Sequence, residues 1–139
     1  MEKKTVKGYS NLDYVVLVDI PTRKSKFGMV LALDPAIIER RISEELILQR
    51  VPLRGREITF IRKTLGLSLE KFANSFGFSA SGVLKWERNP DRRLDPLSEA
   101  GLRSWFAEKL GLELPGVFKT LVGRETAPET VEVRTKRAA

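Results

Sequence analysis

Residues 69–87 constrain the fold more than any other part of the chain. Two helical segments, one running to Phe76 and one opening after Ser79, are joined only by Gly77-Phe78-Ser79. So short a link forces the two helices to cross at a steep angle. Ala73 is small where its helix must come close to the preceding one. Gly77 stands where the chain needs a positive φ, which glycine adopts at least cost. Ser68 and Ser79 suit the N-caps of the two helices. Phe72, Phe76, Phe78, Val83 and Trp86 then share one core.

Further helices flank this pair. Residues 54–65 place Ile58, Ile61 and Leu65 inward and stop at Gly66. Asp95 and Pro96 give a cap-plus-proline start to a helix with Leu102, Trp105, Phe106 and Leu110 inward, ending at Gly111. Residues 116–121 add a short fifth segment. Upstream, Asp34 and Pro35 repeat the same start signal, and Ile38, Ile42 and Leu46 form a stripe that Pro52 terminates. Before that helix, the β-branched run 12–20 reads as a strand ending at Pro21. Residues 22–26 read as a basic connection, and 27–33 as a second strand.

The expected architecture is therefore mainly α. A five-helix bundle occupies 53–122, and a small β-hairpin plus helix occupies 1–51. A hairpin alone is marginal in water, so it must pack on its helix, on the bundle or on a second subunit. The first ten residues read as a flexible polar lead. The tail 123–139 is polar and lacks an apolar period, so it reads as disordered or loosely attached.

Composition narrows the function. The chain has 139 residues, no Cys and no His, which excludes disulfides, Cys/His zinc sites and Cys–His or Ser–His nucleophilic machinery. No phosphate-binding Gly loop and no supported carboxylate cluster is present, so an enzyme is not expected, nor any catalytic residue, cofactor or metal. No apolar run reaches the ~20 residues of a membrane span, and no signal-type segment follows the N-terminus, so a cytoplasmic protein without membrane partners is expected. Lys and Arg number 25 against 18 Asp and Glu, a net charge of +7, which favours an anionic partner with nucleic acid first.

Leu65-Gly66-Leu67-Ser68, Phe72-Ala73, Gly77-Phe78-Ser79, Val83 and Trp86-Glu87 together resemble the Cro/phage-repressor (XRE) helix-turn-helix family, over residues 53–110. More weakly, the strand-rich N-terminal part and the run 53–63 are similar to the DNA-binding half of MqsA-like antitoxins. Those antitoxins often carry a cysteine zinc module, which this Cys-free chain lacks. The resemblance implies a Cro/repressor-like bundle whose helix 80–88 enters the major groove of double-stranded DNA. Ala80, Ser81, Leu84 and Lys85 face outward on that helix and are the candidate base contacts. Ser81 can exchange a hydrogen bond with a base edge, Ala80 or Leu84 can meet a thymine methyl, and Lys85 can reach guanine or a phosphate.

Candidate phosphate contacts are Ser68, Lys71, Ser79, Arg88, Asn89, Arg92 and Arg93, with Arg23, Lys24 and Lys26 weaker. In the family, Arg at the Arg62 position pairs with Glu at the Glu87 position, so a structural salt bridge is implied there. The expected function is a transcriptional repressor acting as a homodimer on a palindromic operator. Two alternatives stay open. One is an autoregulating antitoxin that also wraps a toxin protein with its tail or its N-terminal lead. The other is a protein–protein adaptor without DNA binding.

Overall fold

The first apolar run, 12–20, announces a strand that continues to Ser25, whereas the second, 27–33, contains one of four residues. In the computed structural model, residues 2–136 are described; Met1 of the expected lead and residues 137–139 of the expected tail lie outside them. The elements run β1 Glu2–Tyr9, β2 Leu12–Ser25, β3 Gly28–Leu31, α1 Pro35–Leu48, α2 Gly55–Thr64, α3 Leu69–Phe76, α4 Ala80–Glu87, α5 Pro96–Leu110, α6 Phe118–Leu121 and β4 Val131–Val133. Among the described residues, six helices and a four-stranded mixed sheet make this an α/β fold, which corrects the expectation of a mainly α bundle with a small hairpin.

Three local features account for the difference. The N-terminal lead is strand β1, antiparallel to β2 from Glu2↔Thr22 to Tyr9↔Leu12. Its lysines alternate with few apolar residues, the composition of an edge strand protected from mispairing. β2 passes through Pro21, whose carbonyl accepts from the Ala32 N–H at 2.8 Å, and continues to Ser25. The register between β1 and β2 shifts near Asp19, which holds φ +52. This bulge keeps Leu17 and Ile20, three residues apart, on the same buried face.

The tail, expected to be loose, returns as β4, parallel to Val15–Leu17. β1 occupies one edge of β2, while β3 and β4 share the other. Val131 and Val133 are buried against the core. Glu132 lends its carbonyl to Gln49 Nε2 at 3.1 Å, and Arg134 lends its own to Arg41 Nε at 2.9 Å.

The helix starts follow their caps. Asp34 accepts from the Ala36 N–H, and Asp95 from the Ser98 N–H. One continuous apolar core runs from β2 (Leu12, Val15, Leu17, Ile20) through α1 (Ile38, Ile42, Leu46, Ile47) to Ile58, Ile61, Phe72, Val83, Leu102 and Phe106. The strand–helix segment and the helical segment are thus packed as one body.

α1 ends at Leu48, and Arg50 just beyond its cap takes φ +55, two residues before Pro52. The fully buried Arg103 of α5 donates to backbone carbonyls there, Leu46 at 3.3 Å, Ile47 at 3.2 Å and Val51 at 2.6 Å. It also reaches Leu121 O at 2.8 Å, which joins α6 to the same point. Among the described residues no helix is long and apolar enough to cross a membrane.

Candidate nucleic-acid interface

α3 and α4 meet through the link the sequence marks. Ser68 Oγ accepts from the Lys71 N–H at 3.2 Å, starting α3. Gly77 takes φ +71 and closes it, with the Phe78 N–H reaching back to Ala73 O at 3.0 Å. Ser79 Oγ then accepts from the Gly82 N–H at 3.1 Å and starts α4. Both serines therefore serve first as caps.

An aromatic cluster fixes the pair from below. Phe72 stacks on Phe106 with centroids 5.7 Å apart, Phe76 meets Trp105 at 4.8 Å, and Phe78 meets Trp86 edge-on at 5.0 Å. Adjacent Trp105 and Phe106 both pack on α3.

The far end of α4 is anchored by charge. Arg62 Nε lies 2.7 Å from Glu87 Oε2 and Nη2 lies 2.9 Å from Oε1, while Nη1 donates to Leu67 O at 2.7 Å. One guanidinium thus ties α2, the α2–α3 link and α4. Gly55 lets the start of α2 press against this end: a Cβ there would stand 2.6 Å from Asn89 O and closer still to Trp86 O. Glu57 is wholly buried. It accepts from its own helix start at Arg54 N (3.0 Å) and from Arg54 Nη2 (2.8 Å), and from Tyr14 OH of β2 (2.6 Å). That contact sets the sheet against α2.

The outward surface of α4 carries Ser81 and Lys85 exposed, with Ala80 and Leu84 half-buried beside them. The Ser81 hydroxyl lies 3.1 Å from that of Ser79, so the two share one hydrogen bond. Lys71, Lys85, Arg88 and Arg92 are exposed and make no ion pair among the described residues. Asn89 spends its side-chain N–H on Lys85 O at 2.8 Å, closing the last turn of α4. A cavity of about 210 Å³ sits between the end of α4 and the start of α5, lined by Lys85, Trp86, Asn89, Arg92, Arg93, Leu94 and Asp95.

Arg93 differs from its neighbours there in being ion-paired. Its guanidinium holds Glu99 through two 2.9 Å bonds and reaches Gly123 O at 3.1 Å and Glu125 O at 3.3 Å. Glu99, fully buried, also accepts from the N–H groups of Leu53 and Gly123. Arg93 therefore ties the start of α5 to residues 123–125, with about a third of its side chain still exposed.

Sequence reasoning did not single out Gly55, Tyr14 with Glu57, or Arg93 with Glu99. The spacing Arg54-x-x-Glu57 ahead of an apolar run is the one signal that pointed to the second, as a charged helix start. Comparison with protein-family models, with curated proteins and with solved structures finds no match to this chain.

Proposed function

We propose that this chain is a sequence-specific DNA-binding regulator, a repressor that reads a palindromic operator as a homodimer through α4. The observation that carries the reading is the support given to that helix. It is capped at its N-terminus by Ser79 and anchored at its C-terminus through Arg62, and it presents Ala80, Ser81, Leu84 and Lys85 outward. Around it stand Lys71, Arg88 and Arg92, which no carboxylate neutralises among the described residues. A rigid helix flanked by uncompensated cations suits a groove lined by phosphates.

The reader set is lean. No Arg, Asn or Gln faces the front of α4, so each half-site offers few direct contacts, and DNA shape carries a share of the specificity. Two copies on half-sites about 34–36 Å apart supply what one cannot. The segments that a toxin-wrapping role would use, the N-terminal lead and the tail, contribute β1 and β4 to the sheet.

The test is selection of bound duplexes from a random pool, then binding of the winner at two salt concentrations. Enrichment of a palindrome whose affinity falls steeply with salt supports the reading. No enrichment, with only weak binding at low salt, overturns it and moves the chain to the adaptor class.

A further inference from the structure

The β2–β3 hairpin projects beyond the body of the protein. Residues 23–29 are all exposed, whereas Ile20 and Thr22 just before them are buried. Its turn is a built one. Ser25 pairs with Gly28, the Ser25 hydroxyl donates to Gly28 O at 3.0 Å and accepts from the Phe27 N–H at 3.1 Å, and Gly28 takes φ +104. Phe27 sits at the tip with 86% of its surface exposed, its ring 5.2 Å from Lys26 Nζ.

The arm is basic without compensation. No Asp or Glu occurs from Ile20 through Leu33. Across the strands Arg23 faces Val30 and Lys24 faces Met29, and Arg23, Lys24 and Lys26 make no ion pair among the described residues. Three like charges on a narrow ribbon argue against a symmetric contact between two arms, where each would face its own copy.

From this we infer that the β2–β3 arm is a second DNA-contacting element, docking in a groove that flanks the half-site read by α4. The inference rests on the DNA-binding reading above. A two-stranded ribbon fits the major groove. Arg23, Lys24 and Lys26 meet phosphates, and Phe27 packs against a base edge or sugar.

Position supports flanking contact rather than overlap with α4. The opposite end of β1–β2, at Asn11, rests on α2, where Arg56 Nη1 donates to Asn11 O at 3.0 Å. From there β2 runs fourteen residues to the arm. At about 3.3 Å per residue a strand of that length spans up to about 46 Å, more than one helical turn of DNA, about 34–36 Å.

The experiment uses the full chain and the selected palindrome on two duplexes, one minimal and one flanked on each side by about one further helical turn. The triple variant Arg23→Ala/Lys24→Ala/Lys26→Ala removes exposed charges, and an unchanged melting temperature establishes that it folds. On the long duplex it is expected to bind more weakly than the wild type and to lose hydroxyl-radical protection in the flanks. Its salt slope is expected to drop by up to about 2.7, at about 0.9 per lost phosphate contact. On the minimal duplex the two proteins bind alike, and the same palindrome is selected by both. Phe27→Ala removes protection at the tip and leaves the salt slope unchanged.

If the wild type binds the palindrome but protects no flank, or the triple variant keeps the wild-type slope and footprint, the arm proposal fails and the α4 reading stands. Loss of binding to an acidic protein, with DNA footprints unchanged, also overturns it and assigns the arm to a protein partner. If the wild type enriches no DNA at all, the α4 reading fails and the arm proposal with it.

Discussion

The Arg62 guanidinium grips the Glu87 carboxylate through two parallel hydrogen bonds, 2.7 and 2.9 Å, with both side chains about nine-tenths out of solvent. Removing one partner leaves the other charge largely buried and alone. Glu87→Ala is expected to lower the unfolding free energy by about 3 kcal/mol. Glu87→Gln, which keeps one acceptor, is expected to cost less. Below the transition temperature neither change alters the selected DNA sequence, because Glu87 orients α4 without reading a base. Urea denaturation with pool selection checks both halves. A variant of wild-type stability would deny the pair its anchoring role.

Neighbouring arginines in one dipeptide have different surroundings. Arg92 is exposed and unpaired among the described residues, whereas Arg93 holds the buried Glu99. Arg92→Ala is expected to leave the melting temperature unchanged and reduce the salt slope of DNA binding by about 0.9. Arg93→Ala is expected to destabilise the fold by about 2–3 kcal/mol, since it strips a carboxylate of two charge-assisted bonds. Thermal melts and affinity at several salt concentrations separate the two. Equal effects from both variants would contradict the division.

The helices were legible because their ends carry chemistry: Asp34-Pro35, Ser68, Ser79 and Asp95-Pro96 start them, and Gly77 and Gly111 end two of them with φ near +71. The sheet was legible only in part, as β2 and β3 from the apolar runs 12–20 and 27–33, and three features hid the rest. β1 is an edge strand whose exposed lysines disguise it as a polar lead. β2 continues through Pro21 into the basic residues up to Ser25, which lack the apolar alternation of a half-buried strand. β4 has only Val131 and Val133 to announce it, too few for a pattern.

At the interface the local caps were readable. Arg93 was not distinguishable from Arg92, because its partner Glu99 lies on the next helix and its carbonyl acceptors come from residues 123 and 125. Gly55 depended on the approach of α4, which the sequence does not encode locally.

Tyr14 gives the fold a pH dependence of known sign. Burial, then the charge of Glu57 and its hydrogen bond, push the Tyr14 hydroxyl well above its ordinary value of 10.0, with Arg54 opposing. Above pH 10 the unfolded chain loses this proton while the folded chain keeps it, so the native state binds more protons and stability falls as pH rises. Below pH 10 the contribution is fully present. The slope from one such group approaches about 1.4 kcal/mol per pH unit. Tyr9 is raised as well, by burial and then by Glu39. Tyr14→Phe is expected to cost about 1–2 kcal/mol at neutral pH and to flatten the alkaline decline. Urea midpoints between about pH 9 and about pH 11.5 measure it, with wild type and variant compared at each pH. Parallel curves for the two proteins would remove Tyr14 as the cause.

The C-terminal strand makes the last prediction. Val131 and Val133 are 0% and 1% exposed, β4 pairs with Val15–Leu17, and the carbonyls of Glu132 and Arg134 satisfy Gln49 and Arg41 of α1. Val133→Ala removes buried methyl groups beside Leu17 and Ile20 and is expected to cost about 2 kcal/mol. Ending the chain after Thr130 removes both valines, and at about 1.5–3 kcal/mol for each buried side chain the expected loss is about 3–5 kcal/mol. The truncation also frees the edge of β2 that β4 covers, so it is expected to raise the tendency to associate. Urea denaturation and sedimentation of the shortened chain read the two effects independently. A midpoint equal to that of the full chain would mean that β4 adds no cohesion and that the core closes without it.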